Sequence, residues 1–307
     1  MTIAYLGPPG TFTQVALRHI DPHGTDHVPL NSVPAALTAL REGHVDSVVV
    51  PIENSVEGGV SATLDAVAVG AEVRILAEML VPIRFNLVAR QIMPLGDVRA
   101  VSTHSHAWAQ VRQWAQGHIP DSEYLPAAST AAAAVGLLGD STVTYDAAIC
   151  GPNVSEAHPE LVVLAENIGD NPDAVTRFVH LGTVDAPLPP RTGADRTTLV
   201  IPLWEDRAGA LMEILEQFST RGVNLSRLES RPTGNYLGEY FFSVDVDGHV
   251  QDERVAEALV GLRRICPSTR FLGSYPRADG KAATVASHHT DSAFTQARDW
   301  VASLRVT

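Results

Sequence analysis

The chain has 307 residues, of which 45% are hydrophobic and 19% charged, with a net charge of −13 at pH 7. That length predicts about two domains, and the apolar content excludes a disordered chain. The acidic balance argues against nucleic acid or an anionic membrane as partner, because both select basic patches.

Lys281 is the single lysine. An anion site is therefore expected to use arginine, and a lysine Schiff base is not expected. The start Met1-Thr-Ile-Ala-Tyr5 has no basic stretch ahead of a long apolar one, and no run reaches the roughly 18 apolar residues of a membrane span. The expectation is a cytoplasmic protein. Cys150 and Cys266 are far apart and read as two buried thiols, not a disulfide.

Through residue 183, short β-branched runs alternate with Ala-rich stretches, which predicts an α/β layer fold with mainly parallel strands. Strands are expected at Thr2–Leu6, His27–Leu30, Val45–Val50, Ile75–Ala89, Arg99–Ser102, Ala147–Cys150, Val162–Ala165 and Ala174–Leu181. Helices are expected at Thr13–Ile20, Ser32–Arg41, Ala62–Val69, Ala107–Gln116 and Thr130–Leu138, several opened by a Ser or Thr cap. Residues 184–196 are rich in Pro and Gly, lack an apolar period and read as an extended linker. Beyond it the order is strand Thr197–Leu203, helix Gly209–Thr220, strand Asn224–Arg231, strand Leu237–Val246, helix Asp252–Arg263 and strand Arg270–Gly273. That βαββαβ order is the ferredoxin-like plan. Residues 276–307 form a polar tail with a possible helix at Ser292–Leu304.

Four segments carry candidate chemistry. The strand-to-helix loop Gly7-Pro-Pro-Gly-Thr-Phe-Thr13 offers backbone N–H groups to an anion, but matches neither the P-loop nor the dinucleotide glycine pattern; such a loop alone is more often a plain turn. The apolar strand Val48–Ile52 runs directly into Glu53, Asn54 and Ser55, at the carboxyl end where α/β sheets hold ligands. Ser102-Thr-His-Ser-His-Ala-Trp-Ala-Gln110 links another strand to a helix and presents Thr103, His104 and Gln110. His104 and His106 without Cys or carboxylate neighbours make an incomplete zinc set, so no metal is expected. In Ala174-Val-Thr-Arg-Phe-Val-His-Leu181 an arginine interrupts an apolar strand, and an inward-facing Arg177 needs an anionic partner.

Taken together, Gly-Pro-x-Gly-Thr-Phe at 7–12, Pro-Ile-Glu-Asn-Ser at 51–55 and Thr-Arg-Phe at 176–178 resemble the prephenate dehydratase family. In the second domain, Gly209-Ala-Leu211 and Glu229-Ser-Arg-Pro232 resemble the phenylalanine-binding motifs of that family's ACT domain. One departure lies at 104–106: the family commonly has His-Pro-Gln, and this chain has His104-Ser105-His106.

The resemblance implies a two-lobed α/β catalytic domain over 1–183, similar to type II periplasmic-binding-protein architecture, then the linker, an ACT domain over 197–275 and the tail. It implies conversion of prephenate to phenylpyruvate without metal or cofactor, regulated by phenylalanine, in a homodimer or homotetramer built through the ACT and catalytic domains. By the same resemblance Thr176 assists hydroxide departure, Arg177 anchors a carboxylate, Glu53 is a possible proton source, and Thr11, Asn54, Ser55, Thr103, His104, Gln110 and Phe178 orient substrate. Gly209, Ala210, Leu211, Asn224, Leu225, Glu229 and Ser230 are the implied effector residues. An arogenate dehydratase, a solute-binding or transcription-regulating module, and an inactive amino-acid sensor remain as alternatives.

Overall fold

The structure, a computed structural model, describes residues 1–139, 143–203, 207–234, 236 and 238–305. The first residue of the expected strand Leu237–Val246 and the last two of the tail lie outside them. By contacts the chain divides into two compact units, residues 1–60 with 79–178, and residues 61–78 with 179 onward. In this division 61–78 group with the C-terminal part of the chain.

In chain order the elements are β1 (Ile3–Leu6), α1 (Phe12–Ile20), β2 (His27–Leu30), α2 (Val33–Arg41), β3 (Ser47–Asn54), β4 (Gly58–Gly59), α3 (Ser61–Ala68), β5 (Val73–Pro82) and β6 (Asn86–Ala89). Then follow β7 (Ala100–Thr103), α4 (Ser105–Ala109), α5 (Arg112–His118), β8 (Glu123–Pro126), α6 (Thr130–Gly136), β9 (Ala147–Cys150), α7 (Pro152–Ala157), β10 (Val162–Ala165) and β11 (Val175–Thr183).

Two sheets organise these elements. One has the order β2-β1-β3-β11-β5 with β4 on β3, and the other β10-β6-β9-β7-β8. The strands β1, β2 and β3 are parallel, and their Ile3, Ala4, Val48 and Val49 are fully buried, the continuous apolar run of a strand covered on both faces. In the second sheet β7 is parallel to β8 and β9, but β6 is antiparallel to β9 and β10. The second sheet is thus mixed.

The expected strand Ile75–Ala89 breaks after Pro82 into β5 and β6, and the expected helix Ala107–Gln116 breaks at Val111, whose φ of −126° and ψ of 7° are not helical. β8 and α7 escape sequence reading because each is short and bordered by Pro. Ser32 and Ser129 cap α2 and α6 by accepting the N–H of Ala35 and Ala132. An alanine-rich core of α6, β6 and β9 buries Cys150, whose thiol is pushed up to about 12 by burial; Cys150 and Cys266 are both free.

The C-terminal elements are β12 (Asp195–Pro202), α8 (Ala210–Ser219), β13 (Leu225–Pro232), β14 (Tyr240–Asp247), α9 (Glu253–Ile265), β15 (Arg270–Pro276) and α10 (Asp291–Leu304). The antiparallel sheet runs β13-β14-β12-β15, the order that the βαββαβ plan requires. Alternation sends Leu199, Ile201, Val244 and Val246 toward Phe218, Val255 and Leu262 of α8 and α9. The other face is polar and still buried. Arg227 donates to Asp245 at 2.9 Å and to Ser243, and Asp245 accepts from Thr198, which also bonds Tyr275. Within this unit Arg231 makes a two-pronged pair with Asp65 of α3, at 3.0 and 2.8 Å, and Arg270 donates to the carbonyls of Val67, Ala68 and Gly70 at that helix's C-terminus.

Candidate active site

The end of β1, the start of α1, the end of β3, the first half of β11 and the β7–α4 loop enclose a cavity of about 390 Å³. Of the side chains that the sequence singles out, Thr11, Asn54, His104, Gln110, Thr176 and Phe178 line it. Thr11 stands at the N-cap position of α1, but its hydroxyl donates to the Leu6 carbonyl at 3.1 Å and does not cap the helix. The floor is apolar. Phe12 and Phe85 meet edge to face at 5.9 Å between ring centres, and Phe178 and Ile83 add to them.

The central hydrogen bond joins Asn54 Nδ2 to Thr176 Oγ1 at 2.8 Å. The amide donates, so it occupies a lone pair of the hydroxyl and leaves the Thr176 proton free for another acceptor. Asn54 is itself fixed, because its Oδ1 accepts the N–H groups of Val56 at 2.7 Å and Glu57 at 3.2 Å. Ser55 pins the two strands: its N–H donates to the Val175 carbonyl and its Oγ accepts the Val175 N–H.

Glu53 and Arg177 do not line the cavity. Successive side chains on a strand point to opposite faces, and Arg177 Nε donates to Glu53 Oε2 at 3.0 Å with the arginine side chain 5% exposed. In this structure Arg177 and Glu53 are thus paired with each other, on the face away from Thr176 and Phe178. Thr103 is also outside the wall, fully buried with its hydroxyl on the Ile149 carbonyl. The alternation in Thr-Arg-Phe carries this information in the sequence.

No arginine or lysine is among the described residues of the wall. Its ionisable groups are His104 and His106, whose rings meet edge to face at 5.0 Å. Burial first, then the neighbouring His106, lowers the pKa of His104, while Glu57 opposes them; His104 Nδ1 also accepts the His106 N–H. Gln110 is buried, donates from Nε2 to the His106 carbonyl at 3.1 Å and has Oε1 without a partner among the described residues. The site residues expected from the sequence leave out Phe85, Ser129, Thr130 and His106, although His106 marks the departure at 104–106 and Ser129 caps a helix that the sequence predicts. No cluster of metal-ligating side chains occurs among the described residues, and no helix among them is long and apolar enough to cross a membrane.

In the C-terminal unit Gly209 has φ of +88° at the turn into α8, a conformation side chains with a Cβ resist, followed by Ala210 and a part-exposed Leu211. Asn224 donates to Asp247 at 2.8 Å, Leu225 packs on the core, and Glu229 and Ser230 lie on the edge strand β13. A cavity of about 270 Å³ beside Ala210 is lined by Leu203, Ile214, Ile265 and Cys266, without Glu229 or Ser230. This cavity therefore takes in the first implied effector motif and not the second.

The sequence matches the family described as prephenate dehydratase over residues 3–186 and the ACT domain over residues 198–264. A prephenate dehydratase of Amycolatopsis methanolica is 45% identical over 303 residues, covering 99% of this chain and 97% of that protein. That of Mycobacterium marinum is 44% identical over 283 residues, covering 89% and 88%. The crystal structure of prephenate dehydratase in complex with L-Phe from Arthrobacter aurescens superposes with a TM-score of 0.92 at 57% identity, covering 99% of both chains.

Proposed function

The chain belongs to the prephenate dehydratase family, and we propose that it turns prephenate into phenylpyruvate in the cavity walled by Thr176 and Asn54, under control of phenylalanine bound to the ACT domain. In that reaction the electron pair of the bond to the ring carboxylate moves into the ring as CO2 leaves. The pair released at the far carbon departs with hydroxide, which needs a proton to leave as water. Aromatisation supplies the driving force, so the residues have to position a dianion and assist one leaving group.

The Asn54–Thr176 hydrogen bond carries this reading. With its lone pair engaged by the amide, Thr176 directs its O–H at the leaving hydroxyl. The unpartnered Gln110 Oε1 suits the substrate's ring hydroxyl, which is the only donor that the dianion brings. The carboxylates would meet the first turn of α1, whose early N–H groups lack intrahelical partners, and the His104 side. Phe12, Phe85 and Phe178 match the ring and exclude water. Arg177 and Glu53 hold β11 to β3 from the other face.

Phenylalanine is bound in the Arthrobacter aurescens structure. We extend that to this chain at Gly209-Ala-Leu211 of one copy and Glu229-Ser230 of a second, because the cavity beside Ala210 leaves out Glu229 and Ser230 and because Leu211, Met212, Leu228 and Tyr240 are exposed. A homodimer, alone or within a tetramer, follows, and light scattering would test it. The activity is tested by incubating the protein with prephenate and following phenylpyruvate by absorbance. Arogenate in a parallel reaction tests the amino-bearing substrate; no turnover of either would overturn the reading.

A further inference from the structure

We propose that Glu57 and His106 form a clasp across the rim of the cavity that holds the Asn54–Thr176 bond against the second sheet, which makes both of them positioning residues for the dehydration. The inference rests on the reading of this cavity as the prephenate site.

Glu57 lies in the short turn that leaves β3. Its own N–H donates to Asn54 Oδ1, and Gly58, at φ of +83°, folds the chain back so that Gly58 and Gly59 pair with Asn54 and Glu53. A shift of Glu57 therefore moves the amide that donates to Thr176. The Glu57 carboxylate meets His106 Nδ1 at 3.0 Å.

His106 sits in α4, which follows β7 of the other sheet, and it is a hub there. Its N–H donates to His104 Nδ1, and its carbonyl accepts from Gln110 Nε2 at 3.1 Å. One connected series thus runs Thr176, Asn54, Glu57, His106 and then His104 and Gln110, hydrogen-bonded at each step except the Glu57–His106 ion pair, and joins five wall residues drawn from both sheets through Glu57. His106 stands where the resemblance leads one to expect Gln, a side chain that also offers an N–H to a carboxylate.

The Glu57 and His106 side chains are 32% and 69% exposed. A pair of that exposure contributes modestly, so its effect should be a small kinetic coupling, with no change in folding.

The test is a double-mutant cycle on the full-length chain with prephenate as substrate, comparing wild type, Glu57→Gln, His106→Ala and the double variant. Each single change should lower kcat/KM about two- to fivefold, mainly through kcat, with Tm unchanged. The double variant should be no worse than the weaker single. His106→Gln should retain most of the activity, and salt should narrow the gap between wild type and His106→Ala. If the two losses multiply in the double variant, or neither single change alters kcat/KM, the clasp is refuted. Thr176→Ala, run beside the cycle, separates the two ideas: an active Thr176→Ala enzyme overturns the site itself, whereas an inactive one with a non-coupled cycle overturns the clasp alone.

Discussion

Because Asn54 donates to Thr176, the two strand neighbours Thr176 and Arg177 should fail in different ways when altered. Thr176→Ala should lower kcat by about two or more orders of magnitude, the usual scale of a positioned proton donor, and leave Tm nearly unchanged. Thr176→Ser keeps the hydroxyl and should keep much of the rate; equal losses in both variants would assign the effect to the methyl group. Arg177→Ala instead strands Glu53 without its partner and should lower Tm, with changes in KM following from the displaced strand. A large rise in KM at unchanged Tm would instead mark Arg177 as a direct substrate contact, the role that the family resemblance implies. His180, three residues further along β11, has its pKa pushed down to about 4 by burial, which disfavours its charged form, and its Nε2 has no partner among the described residues. The unfolded chain then binds more protons than the folded one between about pH 4 and 6.5. Stability is lost as pH falls through that window, by up to about 3 kcal/mol. The loss in Tm from pH 7 to pH 5 should shrink in His180→Gln; an unchanged pH slope would show that His180 is not its source.

Elements differ in how much of their stability is local. The helix α3 is eight residues long, too short to stand alone in water, and it is anchored within its unit at its middle and its C-terminal end. Asp65 takes the fork of Arg231, and the C-terminal carbonyls take Arg270, where a cation also complements the helix dipole. Arg270→Ala should therefore cost about 1–3 kcal/mol, read as a lower urea midpoint at unchanged m-value. A midpoint within error of wild type would mean that the carbonyls are as well served by water. Nothing in the local sequence of α3 announces these partners, which lie 166 residues away for Arg231 and about 200 for Arg270. By contrast α2 and α6 were legible as helices because Ser32 and Ser129 stand at their starts and the cap bond is local.

At the level of the whole molecule the question is how an effector in the ACT domain would influence Thr176. Coupling of this kind is typically about 1–3 kcal/mol and reciprocal, so phenylalanine should weaken prephenate binding by the same factor as the reverse, which calorimetry with each ligand can measure. Gly209→Val places a Cβ and its branches at φ of +88°, where only glycine is at ease. Inhibition by phenylalanine should fall at least tenfold in that variant while turnover persists. Purely competitive inhibition that survives Gly209→Val would move phenylalanine into the Thr176 cavity.

Residue pattern by itself determined the α/β succession, the βαββαβ order of the C-terminal unit and the segments that carry Thr176, Asn54, His104 and Gly209, because strand alternation, helix caps and turn glycines are local signals. Tertiary structure decided the rest. The antiparallel entry of β6 and β10, the pairing of Glu53 with Arg177 and the buried Arg227–Asp245 bond depend on which strands become neighbours. The meeting of Asn54 with Thr176 spans 122 residues, and it exists only because β3 and β11 lie side by side in one sheet. Partners of that separation are chosen by the free energy of the assembled core, to which every strand contributes and which no short stretch of sequence encodes.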